Sequence, residues 1–148
     1  MQRGKFVFWV LVTSALCGGV AFAADALVET DEEHIEALGD ALTGPRPDAR
    51  VDDLLSWIDP GRVPLVVRAG GHTTRFDEGG DDPGQAVREA LAPLRGEGVE
   101  LVQRSIAVEG DEARLSTRVR VSGGLLDVDL AMQRDGQGFW VREVRVLD

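Results

Sequence analysis

Arg104 and Arg142 are the residues of this chain best placed to do chemistry. Each interrupts a run in which alternate side chains are apolar: Val102 and Ile106 flank the first, and Val144 and Val146 follow the second. Such alternation sets both arginines on the sheet face that the apolar residues bury. A guanidinium there needs an anion, because burying an unpaired charge costs several kcal/mol. One reading supplies it as a small anionic or amphipathic ligand. Arg104 and Arg142 grip its carboxylate beside Thr117, while Met132 and Trp140 give apolar contact. The other reading supplies it from the protein: an acidic helix residue pairs with the arginine, or a β-bulge turns the arginine outward.

A second chemistry is proton transfer. His34 borders the apolar stripe of a helix beside Leu38, and Glu100 shares the inner face with Arg104, at the outer end of the same strand. Together they could act as a general base and its orienting carboxylate, in a small hydrolase or isomerase. Ser56, Ser105 and Ser116 have no nucleophile elbow and no histidine at useful spacing, so a serine triad is not legible. The acidic run "FDEGGDD" (Phe76 to Asp82) lacks the alternating order and closing glutamate of a calcium loop. No glycine motif follows a strand as a phosphate cradle requires. We therefore expect neither a metal nor a cofactor, and read His72 as a surface residue.

The start of the chain says where it works. "MQRGK" is basic, "FVFWVLVTSALCGGVAF" is apolar, and Ala21 and Ala23 occupy the two positions that a signal peptidase reads. This predicts a secretory signal peptide over 1–23 and a domain over 24–148, exported to the periplasm or the outside and free of the membrane once cleaved; the alternative is an uncleaved membrane anchor, since the apolar run approaches the length of a span. Leu16 before Cys17 excludes a lipoprotein site. Cleavage removes the sole cysteine, Cys17, and the sole lysine, Lys5. The remaining chain has no disulfide, thiol nucleophile or lysine for a Schiff base. The whole chain carries a net charge of −10 and no tyrosine, and so acidic a surface repels nucleic acid.

These residues must be positioned by helices and strands in a definite order. "TDEE" (Thr30 to Glu33) reads as a capping box, and Ile35, Leu38, Ala41 and Leu42 share one helical face until Gly44-Pro45. Val51, Leu54, Leu55 and Ile58 make a second such face, stopped by "DPG". "RVPLVVR" and "HTTRF" form a hairpin around Gly70-Gly71, with Leu65 opposite Phe76 and Val67 opposite Thr74. Asp82 as N-cap, Pro83 at the first helical position and Gln85 closing a capping box start a third helix, which carries Val87, Ala90, Leu91 and Leu94.

From Val99 the period is two. A turn at Gly110-Asp111 sets Val108 against Ala113, Ile106 against Leu115, Arg104 against Thr117 and Val102 against Val119. A turn at Gly123-Gly124 sets Val121 against Leu126 and Val119 against Val128, with Arg120 facing Asp127 and Arg118 facing Asp129 outside. A loop from Asp135 to Phe139 sets Leu130 against Val144, Val128 against Val146 and Asp129 against Arg145. Val141 then points outward, which suggests a bulge.

Helices gathered on one face of an antiparallel sheet make an α+β domain. The helical "EEHIEALGDAL" and "LLSWIDP" and the closing meander "ARLSTRVRVSGGLLDVDLAMQRDGQGFWVREVRVL" resemble the nuclear-transport-factor-two-like superfamily, the cone-shaped SnoaL-like fold. The resemblance implies a curved sheet with the N-terminal helices packed on its concave face around a central pocket. It also implies homodimerisation through the outer sheet face. Members include isomerases, dehydratases and hydrolases, in which a pocket histidine or aspartate is the base, and many non-catalytic binding or assembly domains. The absence of tyrosine counts against the isomerase and dehydratase branches. The expectation is a non-enzymatic domain that binds a small ligand or a protein partner. A pocket enzyme using His34 and a ligand-free assembly module are the alternatives.

Overall fold

The helix that opens the domain, α1 (Asp31–Leu42), has Asp31, Glu32 and Glu33 in its first turn, where carboxylates favour the positive end of the helix dipole. It buries Ile35, Leu38, Gly39 and Leu42. Helix α2 (Pro47–Leu55) starts on a proline that needs no amide partner, and buries Arg50, Val51 and Leu54. A computed structural model describes these elements and the rest of residues 30–136 and 138–148. The expected signal peptide, 1–23, lies outside the described residues. Asp31–Asp148 forms one compact unit, and among the described residues no helix is long and apolar enough to cross a membrane.

Strands β1 (Leu65–Ala69) and β2 (His72–Phe76) form the expected hairpin, with Leu65 opposite Phe76 and Val67 opposite Thr74. Its turn needs left-handed backbone twice, at Gly70 (φ 55°) and Gly71 (φ 77°), which only glycine adopts without strain. Helix α3 (Gly84–Ala90) begins one residue later than the capping pattern suggests. Asp82 Oδ1 does accept a backbone hydrogen bond, from Gly84 N–H at 2.9 Å, but Gln85 turns along the helix to donate to Glu89. The helix also stops early. Pro93 lacks the amide that would continue it, and the chain tightens into a 3₁₀ turn over Ala92–Arg95 that still buries Leu94.

The other strands are β3 (Glu100–Glu109), β4 (Glu112–Val121), β5 (Gly124–Asp135) and β6 (Gly138–Leu147). All six join one sheet in the order β2-β1-β6-β5-β4-β3. Every pair is antiparallel except β1 with β6, which run parallel with Val67 beside Val144. The β3–β4 hairpin has the expected pairs Val108–Ala113, Ile106–Leu115 and Arg104–Thr117. A bulge between Leu101 and Gln103 then places Leu101, not Val102, opposite Val119, and sets Glu100 opposite Arg120. The expected inner-face position of Glu100 is thereby lost.

The β4–β5 register differs from the expected one by two residues. The turn is Ser122-Gly123, so Val119 faces Leu126, Arg118 faces Asp127 and Arg120 faces Leu125. A two-residue slip keeps every side chain on its own face, so the apolar alternation cannot distinguish the registers. In the observed register Arg118 grips Asp127 with both arms of its fork, at 2.7 and 2.8 Å, and Arg120 turns to Glu100 on the other neighbouring strand.

In the β5–β6 pair Leu130–Val144, Val128–Val146 and Asp129–Arg145 stand as expected. A bulge between Ala131 and Met132 brings Val141 inward and shortens the loop, so that Asp135 pairs directly with Gly138. Leu115, Leu130, Met132, Val141 and Val144 meet Ile35, Leu38, Leu54 and Leu65 in a single core with almost no solvent exposure.

The register has a titration signature. The hydrogen bonds from Arg118 hold the Asp127 carboxyl below the ordinary aspartate range; its slight burial opposes this, and the guanidinium's charge adds to it. A lowered folded-state pKa means that the pair supports folding above the unfolded value and that this support fades as pH falls through the folded one. An NMR titration should find Asp127 depressed, restored toward normal by Arg118→Ala and unaffected by Arg120→Ala. The two-residue-shifted register requires the opposite pair of results.

Candidate functional site

Arg104 is the inner-face cation. Its side chain is only 13% exposed, with Nη2 2.7 Å from Asp40 Oδ1 and Nη1 3.9 Å from Glu36 Oε1, both on α1. Gly39 leaves the space it occupies: a Cβ there would come within 2.9 Å of Nε. The Asp40 contact is an ion pair rather than an aligned hydrogen bond. Arg104 Nε and the buried Thr117 Oγ1 opposite also have no hydrogen-bond partner among the described residues. The acidic helix thus supplies the counter-charge.

Arg142 does not join it. The Ala131/Met132 bulge turns Arg142 off the inner face, where it pairs with Glu112 at 3.0 Å. Met132 is wholly buried in the core. Trp140 lies half-buried beneath the Arg62 guanidinium, 5.0 Å from its ring centre. Arg104, Thr117, Trp140 and Arg142 border four separate recesses. The expected five-residue pocket is not assembled, because the bulge beside Met132 turns Arg142 outward and Met132 itself is buried in the core.

His34 and Glu100 are also apart. His34 is exposed, with its ring edge-on to Trp57 at 5.1 Å, in a cleft of about 300 Å3 that also holds Asp31. Asp31 is taken by Arg134, and Glu100 by Arg120 at 3.1 Å. Among the described residues no group of three metal-ligating side chains converges.

A larger recess lies between the β1–β2 hairpin and α3 and measures about 570 Å3. Val67, Leu126 and Val146 come to it from the sheet, and Ala86 and Ala90 from the helix. Ala92 and Pro93 of the 3₁₀ turn add a wall. The exposed His72, Glu89 and Asp148 give it a polar, mainly acidic rim. Sequence reasoning passed over this site. Its one signal is the pair of alanines four residues apart, which leaves a gap where larger side chains would close helix onto sheet.

Neither a family model nor a curated protein matches this sequence. Solved structures do. A proposed ketosteroid isomerase from Shewanella frigidimarina superposes with a TM-score of 0.59 at 12% identity, over 80% of this chain and 96% of that one. An NTF2-like protein of unknown function from Cytophaga hutchinsonii gives 0.50 at 9% identity, over 81% and 90%. The chain has the NTF2-like fold. A de novo designed protein with a curved β-sheet is similar too, at 0.52 and 15% identity over 78% and 96%. At these identities the NTF2-like likeness concerns architecture, and the chemistry must come from the residues themselves.

The Arg104 seat predicts a sign reversal. Alanine in place of a helical glycine ordinarily stabilises by about 0.5–1 kcal/mol. Here Gly39→Ala should destabilise, because its methyl displaces Arg104 from Asp40. In an Arg104→Ala background the same change should stabilise. Urea unfolding of the four proteins measures this, and equal effects of Gly39→Ala in both backgrounds would contradict the seat.

Proposed function

We propose that this chain is an exported, non-enzymatic NTF2-like domain that binds a small amphipathic molecule in the cleft between β1–β2 and α3. The carrying observation is a recess of about 570 Å3 at the margin of the buried core, walled mostly by apolar side chains. An apolar recess with a few polar groups at its rim suits a ligand with a hydrocarbon body and a polar end. Glu89 and Asp148 favour a neutral or cationic end over a carboxylate. The binding reading also draws support from the sites that might have been catalytic. His34 packs on Trp57 rather than on an orienting carboxylate, and Glu100 serves Arg120.

An assembly reading rests on a different observation. Leu125 and Leu147 are half-exposed on the face of the sheet turned away from the helices, which is where a second copy would dock. Sedimentation at rising concentration tests it independently of any ligand.

Octylammonium and octanoate carry the same tail with opposite heads, and so test the cleft and its rim together. Octylammonium should raise Tm by about 2–4 °C for each kcal/mol of binding free energy, and octanoate by less. Ala90→Trp, which fills the cleft, should abolish both shifts. Absence of any shift in the wild type, or full shifts in Ala90→Trp, would overturn the reading.

A further inference from the structure

A second recess, of about 280 Å3, opens on the outer face of the sheet and is independent of the cleft. Arg114 on β4 sits between two alanines, Ala107 on β3 and Ala131 on β5, so the neighbouring strands leave a hollow on each side of its side chain. The Ala131/Met132 bulge delivers Arg142 to the same hollow. Glu109 and Glu112 complete its lining.

The charges here are arranged against ordinary practice. Glu109 and Glu112 face each other directly across the ladder, a pairing of like charges that destabilises a sheet. Arg142 answers Glu112, at 3.0 Å. Among the described residues Glu109 has no ion-pair partner, and neither does Arg114, although the two share one recess. Most arginines of this acidic chain are held by carboxylates, whereas here an exposed guanidinium and an exposed carboxylate in one recess are both free to take an external partner.

We infer that this recess binds a zwitterion of α-amino-acid dimensions. The ligand carboxylate lies on the Arg114 guanidinium with Arg142 alongside, and the ligand ammonium enters between Glu109 and Glu112. Arg114 and Glu109 are diagonal neighbours on adjacent strands, about 7–8 Å apart at the backbone, so their side chains can take the two ends of one small molecule. Charge balance selects the class. A simple anion would add negative charge beside two carboxylates on a chain of net −10, whereas a zwitterion adds none. Guanidinium geometry suits the carboxylate end, which it meets with two parallel hydrogen bonds.

The test is an NMR titration of the folded domain with L-alanine, acetate and methylammonium, each to roughly 50 mM, since one exposed ion-pair set supports millimolar affinity. L-alanine should move the Arg114 side-chain N–H and the Glu109 and Glu112 amides, and acetate and methylammonium should bind at least about tenfold more weakly. Arg114→Gln and Glu109→Gln, both surface changes, should each weaken L-alanine about tenfold or more while spectra and Tm stay native. Acetate binding as well as L-alanine would overturn the proposal in favour of an anion site. Shifts of these signals with protein concentration alone, and none with L-alanine, would overturn it in favour of self-association.

Discussion

Arg50 holds the helical layer together. It is 4% exposed and pairs with no carboxylate among the described residues, yet its guanidinium donates to Gly44 O at 2.6 Å, Leu94 O at 2.7 Å and Gly96 O at 2.8 Å. Those carbonyls come from the joint between α1 and α2 and from the 3₁₀ turn after α3. One side chain therefore fixes the two helix connections against each other. Arginine suits the task because it stays charged and carries five donors in a rigid fork; lysine offers one point charge on a flexible stem. Each orphaned carbonyl left by its loss would cost about 1–3 kcal/mol if it stayed buried. The cleft depends on this clamp, since Ala92 and Pro93 of the clamped turn form one of its walls.

Two β-bulges divide the sheet's chemistry between its faces. The bulge beside Met132 trades Arg142 for Val141 on the inner face, and the bulge beside Gln103 takes Glu100 to Arg120. On the inner face Arg104 is matched by α1. Around it Leu115, Leu130, Met132 and Val144 are apolar and buried. The recesses lie at the margins: an apolar cleft between β1–β2 and α3 and a charged hollow on the outer face.

Much of this was legible from residue spacing. The two N-terminal helices, the β1–β2 hairpin and the Arg104–Thr117 pair follow from period and turn residues, and Val141 in a strand of the wrong parity marked the bulge. The β4–β5 register was not legible, since apolar pairs form equally well two residues away. Nothing local announces the parallel β1–β6 pair, which joins segments far apart in sequence. Arg50 hid at the edge of the α2 stripe, four residues before Leu54, where an arginine ordinarily faces solvent. The cleft hid because alanine contributes to no pattern, and a void is visible only once the helix lies on the sheet.

The central claim is that a ligand sits at the margin between β1–β2 and α3 and does not enter the buried core. Intermolecular NOEs from octylammonium to methyl-labelled protein test it most directly. The account predicts contacts from the alkyl chain to the Val67, Leu126 and Val146 methyls and to those of Ala86 and Ala90, with none to Leu115, Leu130 or Met132. Contacts to Leu115, Leu130 and Met132 would show that the core opens to ligand, and would contradict it.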